Sequence, residues 1–483
     1  MNKKKFVILL PFSIILLVSS HALPQWINRP GKPQIKSNIG LWLTTANQKN
    51  LLTKQDSLSA SGTKTASDSS ASFVIDIDPQ ITFQQMDGFG ASLTDASAWL
   101  MAKALDVNSR IELMKRLFDK NDGIGISFLR QPMGATDFTT KLYTYDDVPK
   151  GSTDPNLEHF SIGHDREYIL PLLKEAAKIR PELKIMASPW SPPAWMKTSD
   201  NLIGGLLSPD NYEAYSKYFV KFIKAYEAEG LPIYAITPQN EPMYVPEDYP
   251  GMKMEFSSQA KFINEFLGPE FEKNDIATKI IAYDHNWDNV AYPSMVLRDA
   301  GKYTAGTAWH CYGGKHEAMT KVHDLYPDKD IWFTEASGGE WVPPFNDAFA
   351  DQMMHVLRAT RNYAKTVVWW NIALDQNNGP TVLKHSTCRG LVKIDTATGE
   401  ITYNVDYYTM GHISKFVEPG AYRIESSNFY NQLETTAFKN PDGSTVLIAQ
   451  NRLPEDKAVT VRYGASEFTY TLPGKAAATF KWE

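Results

Sequence analysis

Between residues 84 and 415, short apolar runs alternate eight times with segments of helical periodicity, and few folds accommodate that order. The runs are Met86 to Ala91, Gly125 to Met133, Lys184 to Pro189, Ile233 to Thr237, Lys279 to Asp284, Thr307 to Tyr312, Asp330 to Thr334 and Thr366 to Leu374. Between them, Ile111, Met114, Leu117 and Phe118 recur at the three-and-four spacing of a helix face, as do Tyr215, Phe219, Phe222, Ile223 and Tyr226. Strand then helix, repeated, makes parallel strands, and eight such units predict a (β/α)8 TIM barrel over residues 84–415. The competing arrangement, a doubly wound open sheet, calls for a glycine-rich phosphate turn after its first strand. Asp87-Gly88-Phe89-Gly90 is too short a match for that turn.

The pattern changes on either side. Residues 416–483 break into short runs (Ala421 to Ile424, Thr435 to Phe438, Thr445 to Gln450, Ala458 to Arg462, Glu467 to Leu472, Ala477 to Trp482), with the hairpin signal Pro441-Asp442-Gly443 between two of them. They predict a small all-β sandwich. In the polar segment 23–83, Ile39 to Thr45 and the alternation Phe73, Ile75, Ile77 read as strands without local partners. They are expected to join the same sandwich, with Ser57 to Ser72 as a polar loop. The FVEPGAYRI connection has little linker character, so barrel and sandwich are expected to pack rigidly, the sandwich acting as a buttress. Residues 1–22 read as a secretory signal peptide: Lys3 to Lys5, then the apolar Phe6 to Val18, then Ser20-His21-Ala22. The apolar stretch is short for a membrane span. The mature chain is therefore expected to be secreted or periplasmic, with no stable membrane anchor.

Composition narrows the partners. The chain is 43% hydrophobic and 12% aromatic, and its 49 basic and 55 acidic residues leave a formal net charge of −6. No basic block occurs beyond Lys3 to Lys5, so nucleic acid is not an expected partner. The only cysteines, Cys311 and Cys388, form no CxxC pattern, and no HExxH occurs. Neither a metal nor another cofactor is expected; an export-compatible disulfide between the two is left open.

Two glutamates follow strand-like runs. Glu241 stands in TPQNEP after Ile233 to Ile236, and Glu335 in WFTEAS after Ile331, Trp332 and Phe333. A residue at the carboxyl end of a barrel strand points to the face where such barrels do their chemistry. Two acids there, on the fourth and seventh strands, form the pair that glycosidic cleavage needs, and strands four and seven face each other across the mouth. That placement allows the gap of roughly 5–5.5 Å used by retaining enzymes. Asn240, beside Glu241, is placed to hydrogen-bond a sugar 2-hydroxyl, and Arg130, ending the second strand, to orient a carboxylate bidentately. Taken alone, Asp137 reads equally as a loop cap, Trp190 as a packing residue among prolines, and His310 as a satisfied core histidine. Trp369 and Trp370 are adjacent, so on a strand one faces inward and the other outward. Asp95 reads as a brace for the first helix.

The motifs DGFGASLTDASA (Asp87 to Ala98), ISFLRQPMGATDF (Ile126 to Phe138), ASPWSPPAWMKT (Ala187 to Thr198), PQNEP (Pro238 to Pro242), AWHCY (Ala308 to Tyr312), FTEAS (Phe333 to Ser337), WWNIAL (Trp369 to Leu374) and GHISKFVEPGAYRI (Gly411 to Ile424) occur in that order. Together they resemble glycoside hydrolase family 30, which includes glucosylceramidases, β-glucosidases and β-1,6-glucanases. The resemblance implies a retaining mechanism, with Glu241 as acid/base and Glu335 as nucleophile. It also implies that Asp137 and Trp190 hold the sugar in the −1 subsite and that Asn240 touches its 2-hydroxyl. His310 and Tyr312 would flank the nucleophile, and Trp370 would floor the pocket. The segment TVLKHSTCRGLVKID after Pro380 departs from the glucosylceramidase pattern, so the leaving-group side is not defined by the resemblance.

The reading that follows is a secreted retaining β-glycosidase acting on β-glucosides in the manner of a glucosylceramidase, whose substrate is a β-linked glucoside, glucan or glucolipid. An endo-β-1,6-glucanase is the close alternative, and a non-catalytic carbohydrate-binding protein a remote one.

Overall fold

The computed structural model describes residues 33–62, 72–384 and 386–483; the expected signal sequence lies outside them. Eight parallel strands close into a barrel. They are β1 (Gly88–Ser92), β2 (Phe128–Pro132), β3 (Lys184–Ser188), β4 (Ile233–Ile236), β5 (Lys279–Trp287), β6 (Thr304–Gly314), β7 (Asp330–Ala336) and β8 (Ala364–Trp369). Each pairs with its neighbours in sequence, and β8 closes on β1 through Thr366 opposite Gly88 and Trp369 opposite Ala91. That closure excludes the open doubly wound sheet.

Gly90 makes the β1–β2 contact possible, because a Cβ there would lie 2.1 Å from the Phe128 carbonyl oxygen. The barrel is filled rather than hollow. Phe128, Met186, Ala235, Ile281, Ala308, Trp332 and Val368, one from each of β2 to β8, form a buried layer across its interior. Among the described residues, no helix is long and apolar enough to cross a membrane.

The outer helices bury the stripes their sequences carry, with one correction. On Tyr212–Ala228 all of Tyr215, Phe219, Phe222, Ile223 and Tyr226 are buried. On Val107–Phe118 the inner face is Leu113, Met114, Leu117 and Phe118, while Ile111 is exposed. Ile111 lies three residues before Met114, but Leu113 completes a tighter stripe with Leu117. Asp95 opens the first helix and accepts hydrogen bonds from Thr140, Tyr168 and His164, tying that helix to the long loop after β2.

The second unit is one continuous curled sheet of ten strands. Its C-terminal strands are Tyr422–Ser426, Leu433–Lys439, Thr445–Asn451, Lys457–Tyr463, Ser466–Leu472 and Ala476–Trp482. Pro441-Asp442-Gly443 turns the hairpin between the second and third, with Gly443 at φ +86°. The N-terminal strands join as expected. Gly40–Thr45 pairs antiparallel with Ala476–Trp482, and Phe73–Gln85 inserts between Tyr422–Ser426 and Lys457–Tyr463. Sandwich and barrel share core: Phe438, Val446, Ile448 and Ala477 pack in the barrel's hydrophobic cluster. Arg358 on a barrel helix forks onto the buried carboxylate of Glu434 at 2.6 and 2.8 Å, and His412 bonds Thr44 and Thr479 of the sandwich.

Candidate active site

A cavity of about 450 Å³ opens at the carboxyl ends of the strands. Glu241, Glu335, Asp137, Trp370 and Tyr312 line it, together with His285, Asn286, Ser337, Tyr244, Asp248, Tyr249, Lys384, Ser386 and Cys388. The two glutamates converge: one carboxylate oxygen of each lies within 4.8 Å of the other. That is the spacing of a nucleophile and an acid/base, too close to seat a water for inverting attack.

Backbone irregularities aim these side chains. Glu241 adopts φ +44° just beyond β4, and its amide bonds the Asp284 carbonyl. On β5, Tyr283 and His285 pair with consecutive residues of β6, so Asp284 is the extra residue of a bulge, at φ +65°. On β7, Phe333 and Glu335 pair with Trp309 and His310, so Thr334 is bulged in the same way. Trp332 sits in the barrel interior, and strict alternation would then send Thr334 in and Glu335 out. The bulge brings both to the mouth. Left-handed φ at non-glycine residues costs free energy and concentrates at functional sites.

Beneath the glutamates lies a buried charge network whose centre, Asp284, sequence reasoning missed. Asp284 accepts from Arg130 (2.8 Å), Ser188 (2.8 Å), Thr237 (2.8 Å), Thr334 (2.7 Å) and the Nε2–H of His310 (2.9 Å). Burial opposes its charge, but Arg130 and His310 outweigh burial and hold its carboxyl well below the usual carboxylate range. The Nδ1–H of His310 donates to Glu241 Oε1 at 3.1 Å. Burial pushes His310 down, yet the charges of Glu335 and Asp284 raise it to about 9. It is therefore an imidazolium at neutral pH, with both ring nitrogens donating. Burial raises Glu241 above its ordinary value, the charge of Glu335 adding to it and His310 opposing. Counting Glu335 as the carboxylate that receives hydrogen bonds from Arg130 and from Tyr312 (2.9 Å), two cations balance two anions when Glu241 holds a proton. His310 occupies Oε1, leaving Oε2 to carry that proton beside the cavity.

The other expected residues fall into two groups. Tyr312, Trp370 and Asp137 face the cavity. The Trp370 indole N–H meets Asp137 Oδ2 at 3.4 Å, while Asp137 Oδ1 is buried without a partner. Burial, then the charge of Glu335, pushes Asp137 up to about 7. An unsatisfied carboxyl in a cavity is a ready acceptor for sugar hydroxyls. Arg130, Asn240 and Trp190 instead lie behind the wall. Arg130 is fully buried and spans Glu335, Asn240 (2.7 Å) and Asp284 rather than clamping one carboxylate bidentately. Trp190 is 3% exposed, stacked on Trp370 at 4.9 Å and over the Arg130 guanidinium at 4.8 Å. It supports the face that Trp370 presents. Trp369 points the other way, edge-on to Phe333 in the outer core.

Cys311 and Cys388 are both free thiols. Glu241, His310 and Glu335 are close enough to surround a cation, but both ring nitrogens of His310 are already paired, with Glu241 and Asp284.

The "Glycosyl hydrolase family 30 TIM-barrel domain" matches residues 86–417, and the "Glycosyl hydrolase family 30 beta sandwich domain" matches residues 420–480. The chain belongs to glycosyl hydrolase family 30. It is a retaining glycoside hydrolase, as that family's enzymes are. Among its relatives, an endo-1,6-beta-D-glucanase of Neurospora crassa is 32% identical over 439 residues, covering 85% of this chain and 90% of the relative. The lysosomal acid glucosylceramidase of Mus musculus is 30% identical over 437 residues, covering 85% and 83%. The solved endo-beta1,6-glucanase BT3312 superposes with a TM-score of 0.84 at 33% identity, covering 92% of this chain and all of that one.

Proposed function

We propose that this family 30 enzyme is an exported endo-β-1,6-glucanase in which Glu335 is the nucleophile and Glu241 the acid/base. The observation that carries the catalytic assignment is the facing pair with oxygens within 4.8 Å. Glu335, oriented by Arg130 and Tyr312, attacks C1 of the sugar. Glu241 gives its Oε2 proton to the departing oxygen. Developing charge on the sugar is met by the Glu335 carboxylate and by acceptors such as Asp137. Glu241, now a carboxylate facing imidazolium His310, then takes a proton from water that attacks the glycosyl-enzyme.

The preference for a glucan over a glucolipid reverses the order in which the sequence alone ranked them. It is supported by the names of the relatives, three of which are endo-1,6-beta-glucanases at 31–32% identity. It is also supported by the polar outer cavity of Asp248, Tyr249, Lys384 and Ser386. A glucolipid is the second reading, favoured by Met243, Val245 and Val382, which are exposed on the loops that carry Tyr244 and Lys384. The test is a product profile on β-1,6-, β-1,3- and β-1,4-glucans and glucosylceramide. Short oligosaccharides released early from β-1,6-glucan are expected; release of glucose alone, or turnover of glucosylceramide alone, overturns the assignment. Export is tested by the N-terminal sequence of the protein recovered outside the cytoplasm, expected near residue 23.

A further inference from the structure

Glu241 protonates the oxygen of the leaving group, so the leaving group must lie over the loop that carries Glu241. That loop continues through Tyr244 and Asp248 to Tyr249, all lining the cavity. Across from it, the segment after β8 contributes Lys384, in the stretch where the resemblance to glucosylceramidases lapses. This segment is anchored at its root: the Thr381 hydroxyl donates to the Asp137 carbonyl at 2.9 Å, and the Val382 amide to the Thr139 carbonyl at 3.0 Å. Its tip is free. Lys384 is 81% exposed along its side chain, and its ammonium stands 4.0 Å from Asp248 Oδ2. An ion pair so exposed and so long contributes little to stability. Both residues line the cavity, and the pair separates at small cost, offering an ammonium with three donors and a carboxylate with several acceptor sites. A ring of hydroxyls matches that inventory; an acyl chain does not.

We propose that Asp248 and Lys384 form the leaving-group subsite and select a sugar leaving group by hydrogen-bonding its hydroxyls, each replacing the other's charge with a sugar contact. This rests on the glucanase reading for the identity of the sugar, but not for the geometry.

The test is Lys384→Met and Asp248→Asn, each assayed on a linear β-1,6-gluco-oligosaccharide and on 4-nitrophenyl β-glucoside. The aryl group offers no hydroxyls to the subsite. The readout is the ratio of kcat/KM on the oligosaccharide to that on the aryl glucoside. Losing one hydrogen bond to a charged group is expected to lower this ratio about tenfold in each variant. A ratio within about twofold of wild type in both variants overturns the proposal. If the wild type cleaves a differently linked gluco-oligosaccharide, the linkage assignment falls, and the ratio on that substrate judges the subsite. Wild-type activity on the aryl glucoside with none on any oligosaccharide overturns both.

Discussion

Asp284→Asn is the substitution that most directly probes the buried network. The replacement is nearly isosteric, and it removes one negative charge from a fully buried position that accepts five hydrogen bonds, two of them from cations. The local balance of two cations and two anions becomes two against one. Leaving a buried charge without its partner costs about 3–5 kcal/mol, which the protein can lower by releasing a proton. Arg130 does not release one. His310 does, because burial already opposes its charge and Asp284 is one of the groups that sustain it. Neutral His310 can then keep its Nδ1–H on Glu241 Oε1 only if its Nε2 accepts from the amide introduced at position 284, and either way the positive charge that held Glu241 Oε1 is gone. Misplacing the acid/base by about 1 Å is expected to reduce kcat/KM about 100-fold. The imidazole of His310, followed by NMR in selectively labelled protein, is expected to titrate well below the value of about 9 that it has in the native network. A folded Asp284→Asn enzyme with kcat/KM within about threefold of wild type and an unmoved His310 titration would refute the account of the network.

Four further outcomes are expected. Glu335→Gln keeps the fold and loses about a thousandfold or more in turnover, even on activated aryl glucosides; appreciable residual turnover there contradicts its role as nucleophile. Glu241→Ala slows substrates with poor leaving groups far more than those with good ones, and external azide restores turnover as a β-glycosyl azide, identified by NMR; equal losses or an α product contradict the acid/base role. His310 rises from 6.5 unfolded to about 9 folded, so its contribution is fully present below pH 6.5 and fades as pH climbs through 9. That loss, about 3 kcal/mol, should appear in denaturant titrations at pH 6.5 and 9.5 for the wild type and be missing from His310→Gln. Arg358→Met removes the forked pair from the buried Glu434 carboxylate, leaving it Arg452 at 3.7 Å and the Asn431 amide at 3.1 Å, and is expected to cost about 2 kcal/mol in thermal stability, while Glu434→Gln in the same background recovers part of it.

The parts of this molecule that obey a period were legible from the chain. Eight apolar runs matched eight barrel strands because parallel strands buried on both faces read as continuous apolar segments. The hairpin at Pro441-Asp442-Gly443 and the donated strands Gly40–Thr45 and Phe73–Gln85 followed from turn chemistry and from strands that had no local partner. Glu241 and Glu335 were legible because each follows a strand by only a few residues. Asp284 was not. It ends the fifth apolar run but lies in none of the eight motifs, and only the bulge at φ +65° turns it under the site. Tyr249 and Lys384 were missed for a different reason: loop residues carry no periodic signal, and their place at the cavity depends on where two unrelated loops meet. Trp190, which its proline neighbours alone mark as a packing residue, is stacked on Trp370.

These departures share one physical cause. A strand with perfect alternation gives every second side chain to the barrel's packed interior, and a barrel so filled has no room for a catalytic group in its mouth. One inserted residue on β5 and one on β7 break that alternation just above the Trp332 layer. Each puts two consecutive polar side chains on the inner side where the pleat would allow one. Thr334 and Glu335 gain their positions together in this way, and Asp284 gains the one that joins Arg130 to His310. The same insertions that make the site unreadable by period are what let a stable apolar barrel carry five ionisable groups in one small volume. Straightening the β5 bulge by deleting Asp284 should therefore leave a barrel that still closes and abolish turnover, because Arg130 and His310 would lose the carboxylate that joins them beneath the glutamates.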